Sequence, residues 1–165
     1  MNIKLVANLS ANGELILAEQ ANAYQAPPEI SGMAFEKAME CGNIVMGKTS
    51  YDMFSGIAAG ILANLEVVVL NPEKADAEVY TAKTPDDAMK HLEEMGFDKV
   101  CIAGGTMTFN SFLEAGLADE IFFNLFPVVI HGGGVLQTAA GKILDFKLES
   151  AENCGGVASL HYIKK

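Results

Sequence analysis

The stretch Lys99-Val100-Cys101-Ile102-Ala103-Gly104-Gly105-Thr106 reads as a buried strand that turns on two glycines into a helix. The helix runs from about Thr106 to Ala115, with Gly116 as its stop. Upstream, Thr84-Pro85-Asp86-Asp87 opens another helix. Threonine suits the N-cap, proline the first helical position, and two acids the positive end of the dipole. That helix ends at Met95 and Gly96. Downstream, Glu120–Ile130 reads as a long strand around Pro127, and Gly132-Gly133-Gly134 as a flexible turn. Phe146–Glu149 and Val157–Ile163 alternate like two antiparallel strands joined by Asn153-Cys154-Gly155-Gly156.

The first half repeats the strand–helix alternation. Ile3–Leu9 is a strand, Ser10-Ala11-Asn12-Gly13 a turn, and Glu14–Leu17 an extended piece. Pro27-Pro28 interrupts the chain. Ile30, Met33, Ala34, Ala38 and Cys41 recur at helical spacing, so Glu29–Cys41 reads as one amphipathic helix ended by Gly42. Asn43–Met46 is a short strand, Gly47 opens a polar turn, Ser50–Phe54 begins a helix, and Glu66–Leu70 is a strand. Strands alternating with helices predict an α/β protein: a mostly parallel central sheet, helices on both faces, and a C-terminal antiparallel hairpin at one edge. One domain over residues 1–165 is expected, since no linker or repeat divides the chain.

Composition narrows the function classes. Lys+Arg number 11 and Asp+Glu 21, a net charge of −10, and all the basic residues are scattered lysines. So acidic a chain is not expected to bind nucleic acid, and without arginine it has no planar clamp for phosphate or carboxylate. The 3 cysteines (Cys41, Cys101, Cys154) form no CxxC and fit neither a disulfide framework nor a metal site. The apolar run Ile57–Leu70 is broken by Asn64 and Glu66, so no membrane association is expected. The N-terminus has no signal-peptide pattern, and a cytoplasmic protein is the expectation.

Ligands of such sheets bind beyond the carboxyl ends of the strands. The informative positions are therefore Ala7–Asn8, Gly47–Ser50, Asn71, Gly104–Thr106 and Asn124. Gly42-Asn43-Ile44-Val45-Met46-Gly47-Lys48-Thr49 is a literal P-loop match. However, a helix precedes it and Ile-Val-Met is strand-forming, so its backbone cannot curl around a phosphate. A P-loop hydrolase is set aside on that ground. What remains is a pair of strand-to-helix turns, Gly47-Lys48-Thr49-Ser50 and Gly104-Gly105-Thr106. Glycine lets a phosphate approach the backbone, and the free N–H groups of a helix start attract anions. Two such turns at one end of a sheet suit the two halves of a dinucleotide. Lys48 reads either as a phosphate contact or as a solvated surface charge.

Ile3-Lys4-Leu5-Val6-Ala7-Asn8-Leu9 with Asn12-Gly13, Val45-Met46-Gly47-Lys48-Thr49-Ser50-Tyr51, and Val100-Cys101-Ile102-Ala103-Gly104-Gly105-Thr106 with Phe109 and Phe112-Leu113 together resemble the dihydrofolate-reductase-like superfamily. Phe112–Ile121, Pro127-Val128-Val129-Ile130 and Gly132-Gly133-Gly134 are closer to the reductase domain of riboflavin-biosynthesis deaminase/reductases. The resemblance implies a mixed sheet of about eight strands, homodimers, and hydride transfer from NADPH, with NADH as the alternative, to a small nitrogen heterocycle. By position it implies that Ala7, Gly47, Lys48, Thr49, Ser50, Asn71, Gly104, Gly105, Thr106 and Met107 hold the cofactor. Unusual peptide geometry is implied at the glycine pair, and a 2′-phosphate contact for Lys48.

Asn8, Asn12, Ser31, Phe35 and Asn124 are implied on the substrate side. Ser31 stands where folate reductases carry the acid that holds the ring, and the chain has no arginine for a folate tail, so dihydrofolate is not the expected substrate. Asn12 and Ala103 stand where the riboflavin branch usually carries acids, and the deaminase's Pro-Cys-x-x-Cys is not in this sequence. Phe35, one helical turn after Ser31, reads as a cavity wall or an ordinary core aromatic. Asn124, interrupting an apolar strand, is either a ligand contact or tied to local backbone. No residue is named as the catalytic acid. A non-catalytic dinucleotide-binding protein is the second reading.

Overall fold

The computed structural model describes the whole chain except residues 18, 19, 21, 23, 71, 72 and 74–77. Eight strands form one sheet: β1 (Asn2–Ser10), β2 (Asn43–Gly47), β3 (Glu66–Leu70), β4 (Tyr80–Ala82), β5 (Lys99–Gly104), β6 (Glu120–Phe126), β7 (Phe146–Cys154) and β8 (Val157–Lys164). The helices are α1 (Pro28–Ser31), α2 (Met33–Cys41), α3 (Lys48–Ile57), α4 (Ala59–Leu62), α5 (Pro85–Glu94) and α6 (Thr106–Glu114). Strand order is β4-β3-β2-β5-β1-β6-β8-β7. Neighbours are parallel from β4 through β6 and antiparallel from β6 through β7. This is the expected α/β architecture.

Alternate residues of the central strands feed two cores. Leu5, Val45, Val68, Val100 and Ile102 pack under α5 and α6, with Leu92, Phe109 and Phe112. Val6, Ile44, Met46, Val67, Val69 and Cys101 pack under α2, α3 and α4, with Ala38 and Leu62. Both faces are covered, so the parallel strands read as continuous apolar runs rather than alternating ones. Burial raises the Cys41 thiol and pushes that of Cys101 well above the usual range, as expected of core cysteines. Among the described residues no helix is long and apolar enough to cross a membrane.

Several local expectations change. The helix read over 29–41 is broken at Gly32, which sits at φ −95°, ψ 0° between α1 and α2. A Cβ there would lie 3.0 Å from the Pro28 carbonyl oxygen, so the site accepts glycine best. The break removes the basis for placing Ser31 and Phe35 on one helix face. The strand read over 120–130 stops at Phe126, because Pro127 has no N–H for the ladder. β7 runs beyond Glu149 to Cys154, with a register shift between Leu148 and Ser150. β4 is three residues long and follows no apolar run, so periodicity passes over it.

Gly132-Gly133-Gly134 is a packed crossing rather than a flexible turn. A Cβ on Gly133 would come within 2.8 Å of the Leu15 carbonyl oxygen, and one on Gly134 would strike Thr106 Oγ1. Leu15 and Gly134 exchange both backbone hydrogen bonds, at 2.7 and 3.0 Å. His91 of α5 is held between two strands. It stacks on Tyr80 at 3.6 Å, with Nε2 2.8 Å from Glu66 Oε1.

The β7–β8 hairpin turns at Gly155 (φ +60°) and Gly156 (φ +92°), the conformation a two-residue turn needs. Its tip docks on the segment before α1. Tyr24 Oη donates to the Gly155 carbonyl at 3.0 Å, and a Cβ on Gly155 would lie 2.6 Å from Pro27 Cγ. Gly155→Ala is therefore expected to cost about 1–3 kcal/mol, through φ strain and that overlap together. Chemical denaturation checks this, and an unchanged midpoint would contradict the packing.

Candidate functional site

The chain leaves β1 leftward along the face covered by α2, and leaves β5 rightward along the face covered by α6. The crevice between these neighbouring strands is thus the topological switch point of the sheet, where ligands of open α/β sheets bind. The β1–β5 ladder stops at Leu5↔Ile102, whereas β1–β6 runs on to Ser10↔Phe126. Beyond Leu5 the backbone of Ala7 has no recorded ladder partner on the β5 side.

The two glycine turns meet at this rim. Met46 and Gly104 are register partners of β2 and β5. A Cβ on Gly47 would lie 3.7 Å from Gly105 N and 3.8 Å from Gly104 O. Ser50 Oγ is the shared neighbour of the glycine pair, 3.8 and 3.6 Å from Cβ positions on Gly104 and Gly105. The Gly104–Gly105 peptide is cis, in line with the unusual geometry expected there. Gly47 is the N-cap of α3 and Gly105 of α6, and neither helix start has a side-chain cap. By contrast, α5 closes its own start with the Thr84–Asp87 capping box. Two uncapped helix starts side by side leave several N–H donors for an anion.

Charge at the rim is sparse. Lys48, at the first turn of α3, is 2.7 Å from Asp52 Oδ1 one turn later, and its Nζ lies 5.3 Å from the Tyr51 ring centroid. Its charge is thus shared within the helix. Thr49 and Met107 are exposed, and Thr106 packs under Gly134. Asn71 lies outside the described residues. The P-loop match dissolves on the fold: Gly42 ends α2, and residues 43–47 are strand β2, laddered to β3.

On the other side of the crevice, the residues expected to face a substrate divide. Asn8 is half-buried at the end of β1. Asn124 is fully buried and is tied to side chains rather than to backbone: Nδ2 donates to Asn8 Oδ1 at 3.0 Å, and Oδ1 accepts from Ser159 Oγ at 2.8 Å. Asn12 clips its loop to Ile130, donating to the carbonyl at 3.0 Å and accepting from the amide at 3.1 Å, with Ser10 Oγ also on its oxygen. Ser31 is exposed. Phe35 packs edge-on against Phe54 of α3 with centroids 5.1 Å apart, in the core under α2. Asp52, Met33 and Ser159 were not singled out from sequence. Only Asp52, four residues from Lys48, carried a readable signal.

An open cleft of about 510 Å³ lies elsewhere, between Tyr51 and Ser55 of α3 and Glu66 and Val67 of β3, with Tyr80 at its far wall.

The sequence pattern of the RibD C-terminal domain family matches residues 58–160. No curated protein matches the chain. Solved structures share the fold. A candidate riboflavin biosynthesis protein from Shewanella sp. PV-4 superposes with a TM-score of 0.80 at 20% identity, over 100% of this chain and 99% of that one. A pyrimidine reductase-like protein from Corynebacterium diphtheriae has a TM-score of 0.74 at 13% identity, over 99% and 92%. RibD of Acinetobacter baumannii has a TM-score of 0.72 at 17% identity, and this chain, 99% covered, spans 58% of its length.

Proposed function

The chain belongs to the RibD C-terminal domain family, and from that membership we propose an NAD(P)H-dependent reductase that delivers hydride to a small pyrimidine- or pterin-like heterocycle. The observation that carries this reading is the pair of uncapped helix starts, Gly47 and Gly105, touching at the switch point beside the unladdered edge of Ala7.

The residues present fit a dinucleotide. Gly105 leaves its α6 start open, since a Cβ there would meet only Ser50 Oγ, at ordinary contact distance. The N–H groups of α6 would hold one phosphate and those of α3 the other. Lys48 supplies a point charge beside α3. The backbone of Ala7, past the end of the β1–β5 ladder, would face the flat ring, while its methyl is buried in the core. A bound reduced nicotinamide would supply the hydride. Asn8 orients the acceptor from the opposite side. Rate enhancement comes mainly from holding two rings face to face. None of the side chains expected at the substrate side is ionisable, so the proton is assigned to solvent.

Binding is tested by NADPH fluorescence and by melting temperature with NADPH, NADH and ATP, and turnover by NADPH absorbance against pyrimidines, pterins and flavins. Stabilisation by NADPH with loss of absorbance on a panel member supports the reductase. NADPH binding without any turnover supports a non-catalytic dinucleotide-binding protein, and stabilisation by ATP alone overturns both. Lys48→Met is expected to narrow the NADPH-to-NADH affinity ratio only about fivefold, because an exposed cation already paired with Asp52 contributes about 1 kcal/mol.

A further inference from the structure

Asn8, Asn124 and Ser159 form a row across three strands. Register pairs Asn8 with Asn124 and Asn124 with Ser159, so their side chains share the face covered by α2. The direction of the row can be read from its neighbours. Asn124 Nδ2, which donates to Asn8 Oδ1, is also 3.5 Å from Met33 Sδ. A thioether accepts weakly and has no hydrogen to give. Turning the Asn124 amide over would set its oxygen against that sulfur with no proton between them. At the other end, Ser159 Oγ donates into Asn124 Oδ1. The hydroxyl can donate or accept, so it follows the sense that the thioether contact fixes.

The consequence falls on Asn8. Its Oδ1 is taken by Asn124, and its Nδ2 has no recorded partner among the described residues. That nitrogen is not fully enclosed, and it lies one strand from the Gly104–Gly105 turn. We propose that Asn8 Nδ2 is a fixed hydrogen-bond donor that selects heterocycles presenting a carbonyl oxygen there over those presenting an amino group. Asn124 and Ser159 are positioning residues that act through it. The heterocycle class rests on the reductase reading; the donor direction does not. A site built to donate rejects an analogue that also donates, because two N–H groups then face each other.

The test compares pteridine-2,4-dione with 2,4-diaminopteridine, titrated by fluorescence into the protein with and without NADPH. The parent chain is expected to bind the dione at least tenfold tighter. Asn8→Asp keeps its bond to Asn124 but only accepts, and is expected to reverse the order. Ser159→Ala, which leaves Asn124 Oδ1 without its donor and loosens the row, is expected to shrink the preference while leaving NADPH affinity unchanged. An unchanged order in Asn8→Asp overturns the proposal, as does equal binding of the two probes, or binding of neither, by the parent. Failure of NADPH to bind sinks the reductase reading alone, since the probe order is still read without it.

Discussion

NADPH is expected to bind Gly105→Ala about thirtyfold more weakly than the parent chain, a loss of about 2 kcal/mol, with the melting temperature of the free protein little changed. Gly105 is the one turn glycine at which binding and folding separate. Gly104 sits at φ +122°, where any side chain is strained, and a Cβ on Gly47 would lie 2.9 Å from Thr108 Oγ1. Substituting either perturbs the fold as well as the site. Gly105 has φ −85° and ψ −149°, outside the left-handed region, and a Cβ there would find Ser50 Oγ at 3.6 Å. The methyl fits the protein. It occupies the surface a phosphate must reach to meet the N–H groups of α6, and about one charge-assisted hydrogen bond is lost. Gly60→Ala is the control: a Cβ there meets nothing within 4 Å, and affinity is expected to stay level. Parent-like affinity in Gly105→Ala would remove the helix starts from the cofactor site.

What the sequence reveals follows from how local each interaction is. Thr84-Pro85-Asp86-Asp87 is legible because its capping box closes over three residues, with both bonds at 3.1 Å. The two glycine turns are legible because a glycine after an apolar strand is itself a local signal. That they touch is a product of strand order, which sets β2 beside β5 although they are separated by two strands in the chain. Gly32 is missed because the periodicity of Ile30, Met33, Ala34 and Ala38 carries through it, while the obstacle is the Pro28 carbonyl on the preceding turn. The contacts of His91 are not legible locally, because its partners, Glu66 and Tyr80, arrive from β3 and β4. Asn124 announces itself as a polar break in β6, but Asn8 lies 116 residues away and Ser159 lies 35 away. No periodicity links them, so the choice between ligand contact and backbone tie omitted the side-chain row that the fold builds.

Asn124→Asp is expected to lose about 3–4 kcal/mol at pH 7 relative to the parent, and to recover most of it near pH 4. The position is fully enclosed, and its Nδ2 points at an oxygen, Asn8 Oδ1. An ionised carboxylate there is desolvated and faces a lone pair, so its folded-state pKa is raised above the unfolded value of about 3.9. The sign follows. Below the unfolded pKa both states are protonated, the acid O–H donates to Asn8, its carbonyl accepts from Ser159, and the row survives. As pH rises, the unfolded chain gives up its proton first, and stability falls by about 1.4 kcal/mol per unit until the folded pKa is passed. Asn124→Leu breaks the same row without a titrating group, so its deficit against the parent is expected to be similar at both pH values. Urea unfolding of the three proteins at pH 4 and pH 7 decides the matter. If the Asn124→Asp deficit does not change with pH, the amide does not stand in a dry, donor-specified position, and the row cannot set the direction of Asn8.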